Sequence, residues 1–252
     1  MIYTHDNIEL DMAMATDVGR IRQRNEDEVR ILPEAGAALL ADGMGGHQAG
    51  DVAARLAIDV IAEEIQKNDH ADEQALSQWI EAANQAIRGV ASTHSEYRGM
   101  GATIVVTVCR DDRLLFCHVG DSRLYGLWDD SLHQLTEDHT LVQQYINEGM
   151  ISTTEGKTWA GRNLLIKALG IEDAISPTSG QANLRSGQTY LLCSDGLTDP
   201  LSDEQITEIL SSPGQSAQEL ADELVTQANA NGGPDNVTVA VIRTRGKPGP
   251  GG

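Results

Sequence analysis

The sequence is poor in positive charge. Its 18 Lys and Arg stand against 38 Asp and Glu, a formal net charge of −20. A chain of that sign is repelled by nucleic acid and by anionic membrane surfaces, so neither is expected as a partner. It is also poor in cysteine. Cys109, Cys117 and Cys193 are the full set, an odd number without metal-finger spacing, each inside an apolar strand-like run. That pattern suits a reducing compartment and small buried hydrophobes rather than disulfides. No apolar run approaches the roughly 18 residues that a membrane span needs. The stretch from Met1 to Glu9 lacks the apolar core of a signal peptide. Internal repeats are missing as well. These absences predict a soluble cytoplasmic protein. Its 252 residues suffice for one large domain or two small ones with a proper core.

What the chain does have is a recurring strand end. Apolar residues from Ala37 run into Asp42, and Gly43, Gly45 and Gly46 follow. The pattern reads as a buried strand ending in a tight loop. The glycines let the backbone turn and leave the Gly43 carbonyl free to approach an ion. Taken alone, Asp42 reads equally as a solvated residue in a strand-to-helix turn. The motif returns, however. Leu114–Val119 runs into Gly120-Asp121, and Tyr190–Cys193 runs into Ser194-Asp195-Gly196. Gly232-Gly233-Pro234-Asp235 leads into the strand Val237–Ile242. Four strands with an Asp at one end suggest that the ends converge and pool their carboxylates.

Elsewhere the periodicities predict helices and hairpins. Asp51–Gln66 is expected to be helical, with Val52, Leu56, Val60, Ile61 and Ile65 on one stripe. A second helix runs from about Asp72 to His94, with Leu76, Ile80, Ala83, Ile87 and Val90 in line. Met100-Gly101-Ala102 reads as a turn. Thr103–Cys109 and the Leu114 strand form a hairpin through Asp111-Asp112-Arg113, and Arg123–Trp128 continues the sheet. Leu141–Glu148 reads as a short helix. Gly149–Gly161 has no clear period, so 141–165 is expected to be a lid-like excursion. Ser202 with Gln205 and Ser216 with Glu219 are capping boxes that start two late helices. The fold class is therefore α+β: two mainly antiparallel sheets packed face to face, with a helix pair outside each. A single domain over 1–246 and a flexible Gly/Pro tail over 247–252 are expected.

Asp42, Asp195 and Asp235 with the Gly43 carbonyl make an all-oxygen set, which suits Mg²⁺ or Mn²⁺. Crowded carboxylates ask for more than one ion. Two ions about 4 Å apart could hold a hydroxide and direct it at phosphorus. Arg20, Arg22 and Arg24 stand just before Glu26-Asp27. Such mixed charge is commonly a solvated network. The sharper reading is an anion clamp beside a metal shell, with the Arg22 fork on phosphoryl oxygens. His47 is either a surface residue or a general acid for the leaving alkoxide. A competing motif is Cys117-His118-Val119-Gly120-Asp121-Ser122-Arg123, which matches the C-x-x-G-x-x-R loop of cysteine phosphatases. Asp121 would repel phosphate there, no helix is expected after Arg123, and Cys117 sits in an apolar strand.

The assembled motifs resemble the PPM (PP2C) family of metal-dependent protein serine/threonine phosphatases, bacterial branch. They are Arg22-x-x-Asn25-Glu26-Asp27, Asp42-Gly43-Met44-Gly45-Gly46-His47, Gly101-Ala102-Thr103, Val119-Gly120-Asp121-Ser122-Arg123, Asp138-His139-Thr140, Ser194-Asp195-Gly196-Leu197 and Gly233-x-Asp235-Asn236-x-Thr238, in family order. The resemblance implies a four-layer α-β-β-α sandwich with metals in a cleft at one end. It implies that Asp42 bridges two metals, that Gly43 offers its carbonyl, and that Asp195 and Asp235 complete the first metal's shell. Glu26 and Asp27 match positions that hold the second metal, largely through water. Asp121 matches a ligand of a third, weaker metal, and Arg22 the phosphate-binding arginine. Hydrolysis of phosphoserine and phosphothreonine in proteins is implied, typically opposing a eukaryotic-like Ser/Thr kinase, with the enzyme a monomer. A pseudophosphatase that grips phosphopeptides without cleaving them is the other class; every acidic ligand position is filled, which argues against it. Two departures stand out. Met44 occupies the place of a His found in eukaryotic members, and Trp159-Ala160-Gly161 precede Arg162-Asn163 where bacterial members often have His-Pro.

Overall fold

In the computed structural model, which describes residues 2–5, 8–45, 49–68 and 71–246, successive side chains of one strand enter different cores. The strands are β1 (Ile2–His5), β2 (Ile8–Asp17), β3 (Asp27–Leu32), β4 (Ala37–Met44), β5 (Gly101–Ala102), β6 (Ile104–Arg110), β7 (Arg113–Val119), β8 (Arg123–Trp128), β9 (Ser131–Gln134), β10 (Thr178–Asn183), β11 (Thr189–Cys193) and β12 (Val237–Gly246). The helices are α1 (Ala49–Lys67), α2 (Glu73–Thr93), α3 (Leu141–Asn147), α4 (Thr153–Gly156), α5 (Asp195–Thr198), α6 (Asp203–Leu210) and α7 (Ala217–Ala230).

One sheet has the order β1-β2-β12-β11-β8-β9. The other runs β10-β7-β6-β4-β3, with β5 added to the end of β4. Every pairing is antiparallel. Both faces of the central strands are buried, so they read as continuous apolar runs. In β4, Ala38 and Leu40 face the other sheet, while Leu39 and Ala41 face α1 and α2. In β12, Ala240 and Ile242 enter the space between sheets, and Val237, Val239 and Val241 face α7. The four layers follow from that alternation: a helix pair, two sheets and a second helix pair.

The buried face of α1 differs from the expected stripe. Ala53, Ala54, Ala57, Ile58, Ile61 and Ala62 are buried, whereas Val52, Leu56 and Val60 are only partly so. Small residues let this helix lie close to the sheet. A Cβ on Gly43 would fall 2.2 Å from the Gly50 carbonyl oxygen, so the end of β4 and the first turn of α1 touch through backbone. Gly101-Ala102 is not a free turn: it pairs with Met44 and Gly43 as β5. Strands β3, β9 and β10 and the short helices α4 and α5 were also not expected. β9 is joined to β8 by Asp129-Asp130, both at positive φ (52° and 56°), a primed two-residue hairpin turn built without glycine.

The 141–165 excursion is rooted on backbone bonds. Leu141 N–H donates to the Leu164 carbonyl (2.9 Å) and Ile166 N–H to that of His139 (2.9 Å). Downstream, buried Asn84 of α2 accepts from the Gly170 amide (2.8 Å) and donates to the Glu172 carbonyl (3.2 Å). His47 and the tail 247–252 lie outside the described residues.

Candidate metal centre and active-site cleft

Antiparallel pairing decides which strand ends meet. Asp27 at the start of β3 is opposite Asp42 in β4, and β6 begins beside that same end of β4. β7 ends beside the start of β6. In the other sheet the end of β2, the start of β12, the end of β11 and the start of β8 are likewise aligned. The turn Gly120-Asp121-Ser122 joins β7 to β8 and so brings the two aligned ends together. Asp42, Asp27, Asp121, Asp195 and Asp235 are thereby gathered, each close enough to Asp42 to act on its charge. Glu26 feels Asp51, Arg22 and Asp235. The convergence expected from the sequence is present.

Buried hydroxyls and one amide brace the Asp27 carboxylate and the backbone that carries the others. Ser194 Oγ donates to Asp27 Oδ2 (2.8 Å) and accepts from the Thr238 amide (3.1 Å), which locks the two sheets together. Thr238 Oγ1 pairs with Thr16 Oγ1 (2.7 Å), which in turn accepts from Asn25 Nδ2 (2.7 Å). Thr103 Oγ1 accepts from the Asp42 amide (3.0 Å) and pairs with Ser122 Oγ (2.7 Å). The Asn236 side chain accepts from the Glu26 amide (2.9 Å) and donates to the carbonyls of Val18 (3.0 Å) and Arg24 (2.8 Å), clasping the loop that carries Arg22. Sequence reasoning noted these residues only as parts of motifs. Ser122 beside Asp121 and Ser194 beside Asp195 were the available signal for their role; Asp27, Asp42 and Asp235 have no Ser or Thr within two residues.

The electrostatics are those of acids without enough counter-charge. Burial raises Asp42 well above the ordinary carboxylate range, with repulsion by Asp27 and Asp195 adding to it. Burial does the same to Asp195, helped by Asp121 and Asp199. Asp27 is pushed up to about 6, chiefly by burial, and Asp121 to about 7 by burial and then Asp138. Asp27 Oδ1 is buried without a hydrogen-bond partner. A buried acceptor left unpaired is costly, and a cation or its bound water would satisfy it. Among the described residues no three His, Cys, Asp or Glu side chains close on a point as a finished cage would. The carboxylates stand apart as mutually repelling neighbours instead. The chemistry of the set, all oxygen with an orphaned carboxylate oxygen, fits hard divalent cations.

Arg22 is the cation at the rim. Its Nη2 donates to Asp235 Oδ2 at 2.6 Å, and over half of the side chain remains exposed. It feels Asp195 and Glu26 as well, so it stands at the mouth of the acidic group with its fork accessible. On the Asp121 and Asp195 side of the group opens a cleft of about 630 Å³, lined by those two residues on the sheet side and by Ile146, Lys157, Arg162 and Asn163 of the excursion on the other. Arg162 and Asn163 reach across to Asp199 (3.0 and 3.3 Å).

Cys117 does not compete. It is fully buried, faces Ser77 Oγ at 3.7 Å, and its thiol is pushed up to about 11 by burial. Strand β8, not a helix, follows at Arg123, whose Nε and Nη2 both donate to Asp138. All three cysteines are free and buried. No helix of the described residues is long and apolar enough to cross a membrane.

Residues 20–233 match the family model for protein phosphatase 2C. The chain is 42% identical over 235 residues to the serine/threonine protein phosphatase PstP of Mycobacterium tuberculosis, covering 92% of this chain but 44% of PstP. It is 35% identical to the serine/threonine phosphatase stp of Listeria innocua, covering 90% of this chain and 93% of that protein. The crystal structure of the PstP catalytic domain in complex with two manganese ions superposes with a TM-score of 0.86 at 38% identity, over 94% of this chain and 99% of that one. Motif order, strand-end geometry and overall likeness agree: the chain belongs to the protein phosphatase 2C family.

Proposed function

We propose that the chain is a metal-dependent serine/threonine protein phosphatase that hydrolyses phosphoserine and phosphothreonine in proteins. The observation that carries this reading is the gathering of five strand-end aspartates with an exposed arginine paired to one of them, two of the five, Asp121 and Asp195, lining a cleft. Asp42, the Gly43 carbonyl, Asp195 and Asp235 would hold one ion, with Asp42 shared with a second near Glu26 and Asp27. Asp121 would serve a third. Mn²⁺ or Mg²⁺ so held supplies an activated water and neutralises charge on the phosphoryl group. The manganese-bound PstP domain supports the choice of metal.

The chain's own residues do the rest. Arg22 leaves Asp235 in part to take phosphoryl oxygens with its fork, which favours the charge that builds on them. Thr103, Ser194 and Asn236 keep the carboxylate-bearing backbone from relaxing when charge in the site changes. His47 is the candidate donor to the leaving alkoxide. The 141–165 excursion acts as a lid over the cleft, within one domain spanning 1–246. The enzyme works as a cytoplasmic monomer in bacterial signalling, against a eukaryotic-like Ser/Thr kinase; its three buried free thiols and its similarity to bacterial phosphatases support that setting.

An aryl phosphate and a phosphothreonine peptide test the reading. Turnover that EDTA abolishes and Mn²⁺ restores is expected. Metal-independent turnover lost on thiol alkylation would move the chemistry to Cys117. Phosphopeptide binding without turnover in any metal would make the chain a binding module.

A further inference from the structure

Gly120 sits at φ +101°, and a Cβ there would fall 2.6 Å from Thr103 Cγ2. Its turn presents Asp121 to the cleft. One side of the turn is braced by Ser122 on Thr103. The other side rests on His139. The His139 amide donates to the Gly120 carbonyl (3.0 Å), and the Gly120 amide donates back to His139 Nδ1 (3.2 Å). An Nδ1 that accepts carries no proton, so the proton is on Nε2, where it is donated to Thr178 Oγ1 at 2.9 Å. The ring has no freedom to turn. It is 8% exposed and stacks on His118, with centroids 4.5 Å apart and planes 15° from parallel. His118 is itself fixed by the Glu137 carbonyl (2.9 Å) on Nε2.

We propose that His139 is a positioning residue for Asp121: its Nδ1 fixes the Gly120 amide and with it the direction in which the Asp121 carboxylate enters the cleft. The role differs from that of a ligand, since the ring is spent on Gly120 and Thr178 and does not line the main cleft. Burial holds His139 neutral, down to about 3, so the accepting lone pair is present throughout the working pH range. The inference rests on the reading of Asp121 as a metal-holding residue. A partner that orients a metal-holding group typically changes metal affinity about 10–100-fold when removed.

Two near-isosteric changes separate the two ring nitrogens. In His139→Asn, Oδ1 takes the place of Nδ1 and can still accept from Gly120. In His139→Gln, Nε2 takes the place of the ring Nε2 and the acceptor is gone. Calorimetric titration of the whole chain with Mn²⁺ alone, with Asp121→Asn marking the class of site that involves Asp121, reads the outcome. His139→Gln should weaken that class about 10–100-fold and leave the tighter class unchanged, while His139→Asn stays close to the parent. Equal binding by both variants and the parent overturns the proposal, and so does equal loss in both. ¹⁵N NMR of the unmodified chain tests the contact even if a variant fails to fold. Nδ1 unprotonated and hydrogen-bonded is expected; an Nδ1–H tautomer overturns it. A parent that binds no Mn²⁺ defeats the metal reading under Proposed function, and the tautomer then decides the contact alone.

Discussion

The acidic strand ends and the 141–165 excursion face each other across one cleft but are held in opposite ways. At the strand ends, the aspartates sit on strands or on the short segments flanking them, and two are held by buried hydroxyls, Asp27 by Ser194 and the Asp42 backbone by Thr103. Across the cleft, α3 buries no side chain, and Met150, Trp159 and Leu164 are 66%, 40% and 57% exposed. Its ties to the core include a few backbone bonds at the root, Asn147 on Glu137, and Arg162 and Asn163 on Asp199 at the rim. A rigid wall of strained charge therefore opposes a loosely tethered one. The first wall is built to keep carboxylates in place against their repulsion. The second can change position at small cost, since few buried contacts resist it.

The contrast breaks most completely at Asp42. Asp42→Ala should abolish nearly all turnover and Mn²⁺ binding; wild-type turnover would remove Asp42 from the site. Removing its charge should not harm the metal-free fold. Asp42→Asn is expected to match or exceed the metal-free parent in stability, by about 1 kcal/mol, measured by urea unfolding.

Arg22→Ala should act mainly on binding, raising KM about tenfold, ~1.4 kcal/mol, with kcat less affected. An unchanged KM would take Arg22 out of the clamp.

The strained wall also has a pH signature. Asp27 and Asp121 have folded pKa values raised to about 6 and about 7 from an ordinary 3.8. A raised acid binds its proton more tightly folded than unfolded, so metal-free stability is fully kept below about pH 4 for these groups and declines as pH rises through 6 to 7. Calorimetric melting of the metal-free chain from pH 5 to 8 should show Tm falling, and Mn²⁺ should raise Tm more at pH 8 than at pH 5. A flat or rising metal-free Tm would contradict the repulsion.

The smallest effect belongs to the loose wall. Asp199→Asn removes the partner of Arg162 and weakens that of Asn163. Exposed pairs contribute about 0.2–1 kcal/mol, so Tm should hardly move, while chymotryptic cleavage near Trp159 should accelerate. Unchanged cleavage would mean that the excursion is tethered elsewhere.

The same division explains what was legible in the chain. Strands buried on both faces announce themselves as apolar runs, and an Asp within two residues of a Gly at the end of each run marks the candidate site. Asp42, Asp121, Asp195 and Asp235 could be read that way because burial and chain reversal both leave local signs. Strand β10 could not: Thr178-Ser179-Gly180-Gln181-Ala182-Asn183 is polar and owes its state to pairing with β7. Nor could β9, whose turn depends on two aspartates adopting positive φ. The alanine face of α1 was missed because helical periodicity ranks large side chains first, while closeness to the sheet selects small ones. The bracing of Asp121 by His139 joins residues 19 apart through a ring nitrogen and a backbone amide, and nothing local in either stretch encodes it.

The central claim is that the five strand-end aspartates share divalent cations. Anomalous diffraction at the manganese edge, from crystals grown with Mn²⁺, tests it most directly. Two strong peaks are expected with Asp42 between them, one of them also bounded by Asp195 and Asp235. Manganese bound only elsewhere on the acidic surface, with the strand-end carboxylates bare, would contradict the account.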